Sequence, residues 1–359
     1  MAEFRWRLAS EEPQGPPALF EDDYLVERHV GTGEYRGMEF FQVNARRIIN
    51  EVPKASQLPF RYTINAYRGC SHACVYCFAR PTHEYLNFNV ADDFDRKIVV
   101  KVNAVERTRA EVRARRWTGD HIAMGTNTDP YQKAEGKYHL TRGIVEALGE
   151  ARNPFSILTK STLILRDGAL LAAAHERTDV AVSFSIGTLD RDVWRLTEPG
   201  TPPPDRRVEA LRRLTALGVP CGVLVAPVLP GLSDSEEQLR AVVEACAEAG
   251  AVSIGGVALH LRGALRGHYF DWLTGERPDL VRLHRARFGR GAYQADAERE
   301  RVEGVVRSTA HRCGVTGRER YRARDSANLH PSGPAAPPDV GQPEGPDEEE
   351  REERQLRLL

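Results

Sequence analysis

Gly69-Cys-Ser-His-Ala-Cys-Val-Tyr-Cys-Phe-Ala-Arg80 is the stretch on which the reading of this chain turns. It sets Cys70, Cys74 and Cys77 at the spacing Cys-x-x-x-Cys-x-x-Cys. Three thiolates so close along the chain can hold three irons of a [4Fe–4S] cluster and leave the fourth without a protein ligand. An open metal position is where a small molecule binds and reacts.

Zinc takes the same soft ligands, so a structural zinc knuckle is the competing reading. Such a site usually draws a fourth Cys or His from a second motif pair. The remaining cysteines, Cys221, Cys246 and Cys313, are isolated and distant. His72 stands too near its neighbours to close a tetrahedron easily. Nothing at the N-terminus reads as a signal peptide, which argues against disulfides. With Tyr76 directly before the third cysteine, the run resembles the signature of the radical SAM superfamily. The resemblance implies a [4Fe–4S] cluster whose open iron is chelated by S-adenosylmethionine, reductive cleavage of the sulfonium, and a 5′-deoxyadenosyl radical. The protein's share of that chemistry is orientation and exclusion of water.

The chain has 359 residues and a net charge of −1, unevenly spread. Residues 336–359 hold eight acids against three arginines, so the chain without them stands at +4. That Pro- and Glu-rich tail lacks the apolar residues to fold and reads as disordered. The first twenty residues look similarly loose. The organisation expected is an N-terminal extension, partly disordered, over 1–55, a core over 56–315 and an acidic disordered tail over 316–359. No apolar run reaches the length of a membrane span, and a cytoplasmic location is expected. Arginine outnumbers lysine 44 to 6. A GC-rich genome explains this, and so does a phosphate-binding surface. The stretch 282–324, with twelve arginines and five acids, carries the second explanation.

From residue 61 onward, short β-branched runs alternate with amphipathic stretches, the pattern of a parallel sheet with crossover helices. Tyr62–Arg68 reads as the first strand and leads into the cysteine loop. Strands two to six are expected at 121–125, 155–158, 180–186, 222–228 and 252–259. A further strand-like run covers 97–102, and two late helices, near 279–288 and 295–313, would close the open side. The fold class is α/β, a partial (β/α)6 TIM-like barrel of the radical SAM type, with reacting groups at the C-terminal strand ends.

Polar residues stand at those ends. Thr126, Thr128 and Asp129 follow strand two and offer oxygen acceptors to the methionyl amino group, although Asp129-Pro130 is also an ordinary turn initiator. Lys160 follows strand three as a carboxylate or ribose partner, or as a surface lysine. Ser185 ends strand four within reach of a ribose hydroxyl. Ala226 ends strand five, where a small residue admits an adenine ring against the backbone, and Tyr76 would pack beside that adenine.

Gly125-Thr-Asn-Thr-Asp-Pro-Tyr-Gln132, Thr159-Lys160-Ser161, Glu198-Pro-Gly-Thr201 with Arg207-Val-Glu-Ala210, and Val225-Ala-Pro-Val-Leu-Pro-Gly-Leu-Ser-Asp234 are similar to the spore photoproduct lyase-like branch, whose members are often named DNA repair photolyase-related. The similarity spans about residues 60–315. It implies that Lys160, Ser185 and Ala226 contact S-adenosylmethionine, with Asp129 beside it. Glu198 and Arg207 are equally readable as a structural ion pair. True spore lyases need a cysteine and a tyrosine to return a hydrogen atom, and this chain has Thr126 and Phe78 at those positions. The threonine O–H bond is too strong to give up a hydrogen atom and a phenyl ring has no labile hydrogen, which puts thymine-dimer repair in doubt.

The function expected is therefore a radical SAM enzyme that abstracts hydrogen from an unidentified substrate, with catalytic side chains unassigned. Its expected partner is a one-electron reductant such as flavodoxin or ferredoxin. Two alternatives stand beside it: a nucleic-acid-directed radical SAM lyase or modification enzyme, and a non-catalytic metal-binding protein.

Overall fold

Runs rich in Val, Ile and Phe, each followed by a helix with one apolar face, can bury both sides of a strand only in a parallel sheet. The computed structural model, which describes residues 25–53, 56 and 58–317, shows that sheet. Its strands are β1 (Leu25–Val30), β2 (Glu39–Val43), β3 (Ile49–Glu51), β4 (Tyr62–Ile64), β5 (Tyr67–Arg68), β6 (Lys97–Lys101), β7 (Ile122–Met124), β8 (Phe155–Thr159), β9 (Val180–Ser185), β10 (Cys221–Val228) and β11 (Ser253–Ala258). The main sheet runs β3-β4-β7-β8-β9-β10-β11. Within it β4, β7, β8, β9, β10 and β11 pair in parallel, each with the next in chain order. A sheet that always winds to its neighbour curls into a barrel wall, and here β3 and β11 remain as its two edges. This is the expected partial (β/α)6 arrangement.

Strands β7 and β9 are buried on nearly every residue, and Ile64, Met124, Ile157, Val182 and Val223 are among the central residues of the sheet. Helices Leu140–Glu150, Pro204–Ala216 and Glu236–Glu248 cover the outside through Ile144, Leu148, Leu211, Leu214, Val242 and Val243. Cys221 and Cys246 belong to that core. Burial pushes both thiols up to about 12, so they serve as packing rather than as reactive groups. The helix Asp296–Arg312 lies along β11, close to its expected bounds. Phe288, at the end of the helix Val281–Phe288, joins a second apolar cluster with Tyr76, Leu229, Leu259, Tyr269 and Leu273. That cluster seats the cysteine loop on the barrel.

The structure departs from the sequence reading in two places. The single strand expected over Tyr62–Arg68 is broken after Ile64, giving β4 in the main sheet and β5 in a second sheet ordered β1-β2-β6-β5. The break has a polar cause. The Asn65 amide donates to Thr126 Oγ1 at 3.0 Å and accepts from the Asn127 amide at 3.1 Å, while the Ala66 carbonyl turns to Lys101 N at 3.0 Å. The second departure concerns residues 25–51, which the sequence reading assigns to an extension. They supply β1 and β2 to the second sheet and β3 to the main one, and Phe40, Ile48 and Ile49 lie in the central core. The loose segment expected over the first twenty residues and the acidic tail over 336–359 lie outside the described residues.

Candidate active site

The loop carrying Cys70, Cys74 and Cys77 leaves β5 and ends in the helical turn Arg80–Leu86. Tight turns close it on itself: Ala73 N donates to Cys70 O, Cys77 N to Cys74 O and Arg80 N to Cys77 O, each at 3.2 Å. Ala73 holds φ at +52°, a left-handed backbone unusual for a residue with a Cβ. Neighbouring elements supply the remaining partners. The Gln132 side chain accepts from Ser71 N at 3.0 Å and donates to Gly69 O at 2.9 Å, and Thr128 Oγ1 donates to the same carbonyl at 2.7 Å. The buried Arg80 guanidinium donates to Cys74 O, Val90 O and Ala91 O and pairs with Asp95 at 2.8 Å. From the other side, Gly200 N donates to His72 O at 3.0 Å and Val75 N to Thr197 O at 3.1 Å. Gly200 is pressed so closely that a Cβ there would stand 2.1 Å from Ser71 O.

Burial raises the pKa of all three thiols. Cys70 is pushed well up, with further contributions from Asp129, Cys77 and Cys74. Neighbouring thiolates that oppose one another's ionisation become stable together when they share a bound cation. Among the described residues, no three His, Cys, Asp or Glu side chains gather closely enough to hold one ion. A tetrahedral zinc site needs thiolates within about 4 Å of each other. Three thiols from one loop supply the soft donors that an iron–sulfur cluster takes.

Beyond the loop, the strand ends converge on a buried carboxylate. Lys160, directly after β8, places Nζ 2.7 Å from Ser185 Oγ, 3.0 Å from Glu198 Oε1 and 3.5 Å from Ala226 O. Its ammonium also stands 5.4 Å from the centre of the Tyr76 ring. Glu198 accepts from the Tyr76 hydroxyl and the Arg207 guanidinium, and Ser185 Oγ donates to Ala226 O at 2.7 Å. Burial would push the Glu198 carboxyl up, but Arg207 and Lys160 override it and hold the group well below the usual carboxylate range. Two cations against one anion leave this constellation with an excess positive charge, suited to an anionic group.

Tyr76, Lys160, Ser185 and Ala226, singled out from sequence, thus meet in one place. Thr126, Thr128 and Asp129 have other partners. Thr126 bonds Asn65, and Thr128 bonds Gly69 O and Gln132. The Asp129 carboxylate accepts from Thr159 Oγ1 at 2.7 Å, Lys160 N at 2.7 Å and Tyr131 N at 2.8 Å, with His72 Nδ1 at 3.3 Å. Burial opposes its charge, but His72 and these donors outweigh it and lower its pKa. Asp129 therefore ties the cysteine loop to the end of β8. Sequence reasoning gave no role to Asn65, Arg80 or Gln132, weighed His72 only as a zinc ligand, and left Glu198 undecided. A signal for Glu198 existed in the pairing of Glu198-Pro-Gly-Thr201 with Arg207.

The model of the radical SAM superfamily matches residues 64–243. An uncharacterised protein of Mycobacterium tuberculosis is 46% identical over 273 residues, which cover 76% of this chain and 80% of the relative. One from Methanocaldococcus jannaschii is 29% identical over 201 residues, covering 55% and 71%. Among solved structures, spore photoproduct lyase complexed with dinucleoside spore photoproduct aligns with a TM-score of 0.59 at 19% identity, over 76% of this chain and 79% of that one. A variant of that lyase with bound AdoMet and dinucleoside spore photoproduct aligns with a TM-score of 0.57 at 21% identity, over 76% and 79%. At this level of identity the likeness is one of fold.

Proposed function

This chain belongs to the radical SAM superfamily, and from that premise we propose that Cys70, Cys74 and Cys77 hold a [4Fe–4S] cluster beside which S-adenosylmethionine binds and is cleaved. When bound, the pair supplies reductive cleavage of the sulfonium and a 5′-deoxyadenosyl radical that takes a hydrogen atom from a substrate. The observation that carries the reading is the meeting of the buried cysteine loop with Lys160, Ser185, Tyr76 and Ala226 at the C-terminal ends of parallel strands.

The side chains divide the remaining work. Lys160 offers an ammonium to a carboxylate or ribose oxygen, and Glu198 with Ser185 fixes where that ammonium points. Ala226 leaves room for a flat ring against the backbone, with the Tyr76 side chain close to the same ammonium. Asp129 braces the loop against β8 through His72, Thr159 and Lys160 N. Thr126 and Thr128 sit in the same wall, supporting Asn65 and Gly69 rather than pointing a spare hydroxyl at a ligand. The Cys-loop helix-and-strand surround is apolar, with Leu229, Leu259 and Leu261 excluding water from one side.

A one-electron reductant of the flavodoxin or ferredoxin kind is the partner this chemistry requires. Among the described residues no helix is long and apolar enough to cross a membrane. Phe78 and Thr126 hold no hydrogen atom weakly enough to return it to a carbon radical, so the reaction proposed is not the reopening of a thymine dimer. The boundaries proposed for the catalytic unit are 25–315 in place of 56–315, because β1, β2 and β3 share its sheets.

The test is anaerobic reconstitution with iron and sulfide, followed by reduction in the presence of S-adenosylmethionine. Release of 5′-deoxyadenosine is expected. A reconstituted chain that carries zinc, or about four irons with no release of the nucleoside, would overturn the proposal.

A further inference from the structure

Among the described residues only two Phe, Tyr or Trp side chains are exposed, Phe78 at 52% and Tyr293 at 43%. They belong to one row. His260 stands between them, with ring centres 6.1 Å from Phe78 and 5.8 Å from Tyr293 and ring planes within 33° and 28°. The row begins at the thiol loop, since Phe78 directly follows Cys77, and His260 lies two residues beyond the end of β11 on the barrel mouth. Main-chain bonding keeps it in place: Leu261 N donates to Ala292 O at 2.7 Å, and His260 bridges Tyr293.

Its outer end is cationic. The guanidinium carbons of Arg262 and Arg299 stand 5.1 and 5.7 Å from the centre of the Tyr293 ring. Arg299 pairs with Asp296, whereas Arg262 is exposed and makes no ion pair among the described residues. The arginine-rich segment noted in the sequence is otherwise partly spent within the fold, because Arg287 and Arg301 are held by Asp234 and Glu298. Arg262 thus offers a positive charge to a ligand directly beside the aromatic row.

Exposed rings flanked by guanidinium groups suit a flat heteroaromatic ring joined to an anion. A base inside a duplex has no free face, so an unpaired one is required. We propose that Phe78, His260 and Tyr293 form a stacking platform for an unpaired base of a single-stranded nucleic acid, with Arg262 taking a backbone phosphate. The strand then passes the thiol loop at Phe78, which makes nucleic acid the substrate class of the site described above; the inference rests on that reading for the reaction but not for the binding.

Binding is measured by fluorescence anisotropy on the full-length, anaerobically reconstituted chain, with labelled eight-residue oligo(dT) and oligo(U) over a salt series. Binding that weakens as salt rises is expected. Tyr293→Ala weakens it about tenfold or more and Tyr293→Phe restores it. Arg262→Ala, at an exposed side chain, lowers the salt slope by about one. The unfolding midpoint of Tyr293→Ala is recorded alongside; should that variant fail to fold, the Arg262→Ala slope decides. Three results overturn the proposal: no salt-dependent binding, substitutions without effect on it, or thymidine and uridine monophosphates binding as tightly as the oligomers. Wild-type release of 5′-deoxyadenosine is scored separately. A chain that cleaves S-adenosylmethionine but ignores oligonucleotides loses the platform alone, and one that binds them without cleavage loses the enzymatic reading alone.

Discussion

Cys74 is buried, its carbonyl is held by Arg80 Nε at 2.9 Å, and its thiol is pushed up by burial. A thiol in that setting is a poor nucleophile as a free group, and the role proposed for it is that of a shared cluster ligand. Cys74→Ala is therefore expected to lower reconstituted iron well below about four per chain and to abolish 5′-deoxyadenosine release, checked by iron analysis and chromatography. Glu198→Gln tests the other half of the site. It keeps the shape but leaves Lys160 and Arg207 facing a neutral amide. Cluster content should hold while affinity for S-adenosylmethionine falls on the order of tenfold, measured by equilibrium dialysis; unchanged affinity would make Glu198 a purely structural anchor. At this scale the sequence shows residues whose type and position are both unusual: three clustered cysteines, and a lysine past a strand in a chain with only six. Asn65, Gln132 and Arg80 were hidden because their work is to satisfy loop carbonyls and amides. A side chain's choice of a distant backbone partner leaves no local pattern.

At the scale of elements, the cysteine loop is clamped by the segment that follows β9. Gly200→Ala would put a methyl group into Ser71 O and force the two segments apart. A cost of about 1–3 kcal/mol in stability is expected, together with reduced cluster loading, read from thermal unfolding and iron content. His83 packs beneath the same loop in the turn Arg80–Leu86, fully buried, with Nε2 bonded to Lys97 O at 3.0 Å and Nδ1 without a partner. Burial lowers its pKa to about 4. The unfolded chain therefore binds the proton more readily between about pH 6.5 and 4, and stability is lost as pH falls through that window. The loss from this group approaches about 3 kcal/mol at the acid end. Unfolding of the metal-free protein from pH 7 to 4.5 should show it, and His83→Gln should remove part of the slope. The parallel strands were legible in sequence because apolar runs buried on both faces look alike wherever they occur. The break between β4 and β5 was not, since Tyr62–Arg68 has the composition of one continuous strand and only Asn65, turned toward Thr126 and Asn127, divides it.

For the molecule as a whole, that break joins two sheets into one body. β4 runs in the main sheet and β5 in the second, and the cysteine loop leaves directly from β5, so the position of the candidate site depends on both sheets. The second sheet draws half its strands from residues 25–43, a region whose sequence resembles an extension because it precedes the βα alternation and has no helix-period pattern of its own. Its hydrophobic residues make sense only against partners distant in sequence. Phe40, on β2, is fully buried, with its ring 5.8 Å from Tyr35 and 5.6 Å from Tyr138. It shares one apolar cluster with Ile98 and Val100 of β6 and with Ile64, Met124 and Ile157 of the main sheet. If residues 25–51 were a detachable appendage, Phe40→Ala would melt them separately and leave the barrel's transition where it was. If they belong to the same cooperative unit, the substitution lowers the stability of the entire chain by about 3–5 kcal/mol, the usual cost of emptying a buried Phe site. A single, shifted transition followed by far-ultraviolet circular dichroism is the expected result, accompanied by weaker retention of iron at temperatures near the new midpoint. Two transitions, with only the smaller one displaced, would return these residues to the status of an extension.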